Sequence, residues 1–214
     1  LTDVTVCIPY RETPDRQPAY EQVHDWYTNR GYTTITADTT HQHFNVAAAR
    51  NEAVRAARQG ILIVADADTI PDETALKLAV QTVDRSVVYP FNRYQYLTPE
   101  SVHGPLESAV VEREFTNSVG GMFVTDWDTY WLLGGQDERF RRWGAEDNAW
   151  FMAADTLASV ERIPGVVRAF GHDADRDLSV SNPGLCRREL YRFAHGRPEL
   201  MRELIPEPKV CWSP

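Results

Sequence analysis

The run Ile61-Leu62-Ile63-Val64-Ala65-Asp66-Ala67-Asp68-Thr69-Ile70-Pro71 decides how the chain is to be read. Its first five residues are apolar and have the length of a buried strand. They run straight into two aspartates. Alternate residues of an extended segment point to one side, so the spacing predicts that Asp66 and Asp68 address one cation, or a cation and a ribose, together. Pro71 then starts a helix over 72–83. The plainer reading of these acids is a helix N-terminus signal, with Thr69 and Asp72 in that role.

Upstream, Val4 to Ile8 is a second apolar run, ended by Pro9. Tyr20, Val23, Trp26 and Tyr27 recur at helical spacing over 18–30, and Gly31 closes that helix. Residues 32–36 read as a strand, and the alanine-rich stretch 45–58 as a helix stopped by Gly60. This alternation of strand and helix predicts a mostly parallel α/β sheet. Ligands of such sheets sit beyond the carboxyl ends of the strands, where the loops after Ile8, Ile35 and Ala65 converge. The second half is less regular, with short strands expected at 87–89, 118–124, 160–163 and 166–170 and helices at 147–156, 185–193 and 199–204.

The whole chain has 214 residues, 43% of them hydrophobic, and no repeat or linker, which points to one domain. Its 31 acidic and 22 basic side chains give a net charge of -9, so the basic footprint of a nucleic-acid or anionic-lipid binder is missing. No apolar stretch approaches the ~20 residues of a membrane span, and the start lacks a signal peptide's pattern. Cys7, Cys186 and Cys211 are odd in number and lack C-x-x-C spacing. They read as reduced thiols of a cytoplasmic protein.

Two further constellations stand out. Trp143-Gly144-Ala145-Glu146-Asp147 precedes an apolar helix. Acids in a first helical turn are explained by the helix dipole alone, but the aromatic and glycine hinge before them has the parts of an acid/base group under a lid. His172 follows Phe170-Gly171 in a run holding Asp173, Asp175 and Asp177. A lone histidine is usually structural, yet a neutral imidazole is also a good partner for carboxylates around Mn²⁺.

Taken in order, these motifs resemble the GT-A class of nucleotide-sugar-dependent glycosyltransferases, within it the β-1,4-galactosyltransferase-like and polypeptide N-acetylgalactosaminyltransferase-like group. Pro9-Tyr10-Arg11 resembles that group's P-F-R. Phe44-Asn45 with Asn51 is similar to its F-N-R-A-x-x-x-N, with Val46 replacing an arginine and Arg50 as a candidate substitute. Asp66-Ala67-Asp68-Thr69-Ile70-Pro71 resembles D-x-D-x-I-P, and Gly120-Gly121-Met122 its G-G-V. Gly134-Gly135 through Trp143-Gly144-Ala145-Glu146-Asp147-Asn148 resembles the acceptor motif, with Ala145 in place of a glycine and Asn148 in place of an acid. His172 falls where the group has a metal-ligating histidine.

The resemblance implies a single GT-A, Rossmann-like α/β domain with a mostly parallel central sheet flanked by helices. Its nucleotide-binding part is expected at about 1–90, the acceptor and metal-completing part at 91–196, and a helical tail at 197–214. It also implies transfer of a hexose or N-acetylhexosamine from a UDP-sugar to a glycan or protein hydroxyl, with Mn²⁺ or Mg²⁺. Asp68 and His172 are the implied metal ligands, and Asp66 holds the ribose or a metal-bound water. Pro9, Tyr10, Arg11, Phe44, Asn45, Arg50, Ala67, Gly121 and Trp143 are expected around the donor. Asp147 is the implied base and Glu146 orients a sugar.

Inversion is the preferred outcome, although related retaining enzymes share W-G-x-E. The lack of an anchor or leader fits a bacterial or phage enzyme better than a Golgi one. A nucleotidyltransferase is the rival enzyme class, but it would carry a Gly-rich basic loop after the first strand, where Pro9-Tyr10-Arg11-Glu12 stands. A sugar-binding module is the rival without catalysis, and it would not need acids both at a strand end and at a helix start.

Overall fold

The computed structural model describes residues 3–40, 42–140, 144–171 and 183–207. Its larger sheet starts with β1 (Val4–Pro9), which runs parallel between β2 (Thr33–Ala37) and β3 (Ile61–Ala65). The helices α1 (Gln17–Thr28) and α2 (Val46–Ala57) make the two crossovers. On the far side of β3 come β8 (Met122–Asp126), β5 (Ser86–Tyr89) and β9 (Ser159–Arg162), giving the order β2-β1-β3-β8-β5-β9. Of these six strands only β8 runs antiparallel to its neighbours. The expected α/β class therefore holds, with a sheet that is mostly but not purely parallel.

A second sheet has the order β4-β10-β6-β7, built from β4 (Thr69–Pro71), β6 (Arg93–Leu97), β7 (Val111–Thr116) and β10 (Val166–Ala169). Three of these strands go unseen in the sequence. β4 corrects the expected helix start at Pro71. The proline ends a short strand, and α3 (Glu73–Thr82) begins after Asp72, whose carboxylate accepts the Ala75 N–H at 2.9 Å. β8 likewise begins at Met122, not at 118.

The middle strands of the larger sheet are covered on both faces, which is why Val6-Cys7-Ile8 and Leu62-Ile63-Val64 are fully buried. Burial pushes the Cys7 thiol up to about 12, so it is an inert core group. Cys186 lies at the surface, and Cys211 lies outside the described residues. Among the described residues no helix is long and apolar enough to cross a membrane.

Aromatic packing sets the position of the helix that matters most for the site. In α5 (Glu146–Leu157), Trp150 stacks on Phe123 of β8 at 5.0 Å and meets Tyr130 of α4 (Trp127–Leu132) at 4.9 Å. The opposite side of α5 packs Ala149, Met152 and Ala153 in a smaller core with Phe140, Tyr191 of α6 (Pro183–Ala194) and Met201 of α7 (Pro198–Leu204). Clamped from both sides, α5 presents its first turn to the ends of β3 and β8.

Candidate active site

At the end of β3 the chain turns sharply. The Thr69 N–H and hydroxyl both donate to the Asp66 carbonyl, at 3.2 and 3.1 Å, so Asp66-Ala67-Asp68 is a tight turn joining β3 to β4. This corrects the expectation of an extended segment with alternating carboxylates. The buried backbone groups of the turn find partners in two other elements: Asp66 N–H donates to the Gly121 carbonyl at 2.8 Å, and Phe170 N–H donates to the Asp68 carbonyl at 2.9 Å. The ends of β3, β8 and β10 are thereby stitched around the two aspartates. Asp68 also faces Arg16, 3.7 Å away at the start of α1. Arg16 is absent from the sequence-based list, because it lies seven residues past Pro9 and outside the Pro9-Tyr10-Arg11 pattern.

Arg50 on α2 is the centre of the site. Its side chain is only 3% exposed, yet its guanidinium donates to Asp66 at 2.5 Å, to Asp147 at 2.7 Å and to the Gln136 side-chain oxygen at 2.8 Å. One buried arginine thus joins the strand-end acids to the helix-start acids, sequence neighbourhoods some 80 residues apart. Gln136, which the sequence reading misses, is held in place by Asn51. The Asn51 amide donates to the Gln136 carbonyl and its oxygen accepts the Gln136 N–H, both at 2.9 Å. Gly135, at φ +66, makes this fit possible, since a Cβ there would lie 2.7 Å from Trp131 and 2.9 Å from Asn51.

The acids interact through the same centre. Burial pushes Asp66 up to about 6, opposed by Arg50 and reinforced by Asp147 and Asp68. Glu146 is raised further, to about 8, by burial and then by the adjacent Asp147 charge. Burial and the neighbouring charge thus shift the Glu146 carboxyl toward its protonated form, in which it can donate a hydrogen bond. Burial opposes the charge of Arg50, but Asp147 and Asp66 outweigh it and hold Arg50 firmly protonated.

Gly120 and Gly121 close the site from the β8 side. A Cβ on Gly120 would stand 2.9 Å from Asp147 Oδ2, and one on Gly121, at φ +94, would stand 2.6 Å from the Tyr94 ring. Asp147 and Tyr94 therefore press directly on bare backbone. Tyr94, on β6, is a further residue that the sequence reading leaves out.

The other residues expected around the donor make contacts within the chain. Tyr10 stacks on Tyr20 at 4.0 Å and donates to Gln17. Arg11 is tied to the loop after β2, through Asp38 at 2.8 Å and the Thr39 carbonyl at 2.6 Å, with Phe44 under its guanidinium at 5.6 Å. Asn45 caps α2 by accepting the Ala48 N–H at 3.0 Å, while its amide donates to the Glu138 carbonyl at 2.9 Å. Pro9 ends β1, and Ala67 is buried between the two aspartates. Trp143 and His172 lie outside the described residues.

Among the described residues no three His, Cys, Asp or Glu side chains form a complete metal cage. The donor set nevertheless fits a hard divalent cation. Asp66 and Asp68 present two carboxyl groups on one turn, with Arg16 against Asp68, and carboxylate oxygens are the ligands such cations prefer.

Comparison with known proteins bears on this geometry. The profile of Glycosyl transferase family 2 matches residues 18–133, more than half of the chain. No curated protein matches it in sequence. Among solved structures, the chain is similar to a Drosophila β1,4-galactosyltransferase 7 mutant in complex with manganese, UDP-Gal and xylobiose. That match has a TM-score of 0.59 and 14% identity, over 87% of this chain and 80% of that one. A second structure of the Drosophila enzyme's catalytic domain, with xylobiose, gives 0.55 and 14%, over 90% and 80%. GalNAc-T7 with UDP, GalNAc and Mn²⁺ gives 0.55 and 13%, over 93% of this chain but only 52% of that one. At such identities the likeness is one of fold. The family match and the shared fold together make the chain a member of glycosyl transferase family 2, carried on a GT-A fold.

Proposed function

We propose that the chain is a metal-dependent glycosyltransferase that moves a hexose or N-acetylhexosamine from a UDP-sugar to an acceptor hydroxyl, with inversion. The observation that carries this reading is the single buried arginine joining Asp66 to Asp147. It brings the donor-side and acceptor-side acids into one site, as transfer between two substrates requires. The fold neighbours crystallised with Mn²⁺ and UDP or UDP-Gal agree with it.

Asp68, with His172 and Asp66, would hold the divalent cation. When bound, it supplies Lewis-acid stabilisation of the diphosphate leaving group, worth several kcal/mol in the transition state. Arg16, 3.7 Å from Asp68, would pair with the same phosphates through charge-assisted hydrogen bonds. Asp147 takes the acceptor's proton as the hydroxyl attacks, a role that contributes about 10²–10⁴-fold. Protonated Glu146 orients a sugar hydroxyl beside it. The glycine pair at 120–121 makes room for Asp147 and Tyr94 beside the acids.

The test is a panel of UDP-sugars, each incubated with Mn²⁺, Mg²⁺ or excess EDTA, with and without glycan and peptide acceptors, and read as UDP release and product stereochemistry. Metal-dependent UDP release, stimulated by an acceptor and yielding the inverted anomer, is the expected result. Pyrophosphate release identifies a nucleotidyltransferase instead. Undiminished activity in EDTA removes the metal from the reading.

A further inference from the structure

Asp147 is gripped unevenly. Its Oδ1 accepts a hydrogen bond from Arg50 at 2.7 Å, while its Oδ2 lies where a side chain on residue 120 would be, 2.9 Å from the Cβ that Gly120 lacks. Arg50 is itself immobilised. It is 3% exposed, and its two terminal nitrogens bond to Gln136, Asp147 and Asp66. Its Nε is buried without a partner among the described residues. The terminal nitrogens of Arg50 are thus taken up by protein partners.

We propose that Arg50 and Gly120 together select the reacting oxygen of Asp147: Arg50 holds Oδ1, and the lack of a side chain at Gly120 makes room for Oδ2, the oxygen left to take the acceptor's proton. This rests on the reading of Asp147 as the base. The acceptor oxygen bonds to the anomeric carbon as its proton passes to Oδ2. The bond from that carbon to the diphosphate oxygen breaks, and the leaving UDP keeps the electron pair. Arg50 and Gly120 touch neither substrate in this scheme and are positioning residues. Gln136 serves the same end one step further out, fixing the guanidinium that fixes the carboxylate.

The backbone at Gly120 is not in the left-handed region, so Gly120→Ala tests the geometry without strain at that residue. Gly120→Ala and Arg50→Lys are expected to lower kcat for UDP release from the donor that the wild type uses by about 100-fold. UDP affinity in Mn²⁺, measured by calorimetry, should stay within about three-fold in Gly120→Ala, the split expected of a group that acts on the transition state alone. In a crystal structure of Gly120→Ala, the Asp147 carboxylate should be turned away from residue 120 with the Arg50 bond to Oδ1 retained.

A loss of UDP affinity of about ten-fold or more in Gly120→Ala would make residue 120 part of donor binding and overturn the proposal. So would an unmoved Asp147 carboxylate in Gly120→Ala, or wild-type kcat in that variant. The binding and structural arms need no turnover, and Gly120→Ala carries the test if Arg50→Lys fails to fold. Asp147→Asn separates the two levels. Full activity there ends the base reading itself, whereas an inactive Asp147→Asn beside fully active Gly120→Ala and Arg50→Lys ends only this proposal.

Discussion

The two acid pairs of the site are held by different means. Asp66 and Asp68 sit on a turn whose backbone is bonded into β8 and β10, so their position follows from the sheet. Glu146 and Asp147 open a helix that no side chain caps, entered through Gly144 at φ +101 and Ala145 at φ +76. Their position depends on aromatic packing along α5 and on Arg50 at its tip. One acid pair is thus built on the sheet, and the pair that carries the proposed acid/base group is placed on the element whose entry is conformationally strained. Division of this kind lets one pair stay fixed while the other is set by neighbours that substitution can disturb.

The largest effect should come from the pair on α5. Asp147→Asn keeps the shape and removes the proton acceptor, and a loss of about 10³-fold in transfer is expected, with UDP affinity in Mn²⁺ unchanged. Equal loss of transfer and binding would make Asp147 a structural group and erase the contrast between the pairs. On the sheet side, Asp68→Ala should reduce metal affinity, followed by Mn²⁺ titration of UDP binding, by at least about 100-fold. Its melting temperature should hardly move, because the backbone bond from Phe170 to the Asp68 carbonyl does not need the side chain.

Glu146 gives a smaller effect with a defined sign. Its carboxyl is raised from 4.5 to about 8 in the folded chain. The folded state then holds a proton that the unfolded state has released. The stability this contributes is fully present below about pH 4.5 and is lost as the pH rises through about 8. Glu146→Gln should therefore melt like the wild type near pH 4.5 and above it at pH 8. The gain should be a few degrees, the size that about 1 kcal/mol produces in a chain of this length. Equal melting temperatures at pH 8 would mean that Glu146 is solvated and ionised like an ordinary surface acid.

The smallest effect is expected at Ala145. An L-residue in the left-handed region costs roughly 1–2 kcal/mol, partly offset by the entropy that glycine loses on folding. Ala145→Gly should raise stability by about 1 kcal/mol or less in a denaturant titration. Destabilisation would show that the alanine methyl, at the edge of the smaller core, contributes more than the strain removes.

Most of the first half was legible because its signals are local. An apolar run of five residues, a helical spacing of aromatics and a closing glycine each survive without tertiary context. β6 and β7 were not legible for the opposite reason. Arg93-Tyr94-Gln95-Tyr96 and Glu112-Arg113-Glu114 alternate without a clear apolar face, and β7 is an exposed edge strand whose charged side chains suit solvent. The Asp66 turn is closed locally by Thr69, but an apolar run that enters it reads as extended, and the bonds that tie the turn to Gly121 and Phe170 come from residues far away in sequence.

By itself the sequence determined the fold class, the strand that carries Asp66 and Asp68 to the end of the sheet, and the helix start that carries Glu146 and Asp147. These follow from periodicity and from short-range chemistry. Only the tertiary structure decided that Arg50 is a buried link between the two pairs, that Gln136 and Asn51 brace it, and that Gly120 faces Asp147. A guanidinium reads the same in sequence whether it lies in water or in a core. What it does is fixed by burial and by the carboxylates that long-range packing brings to it.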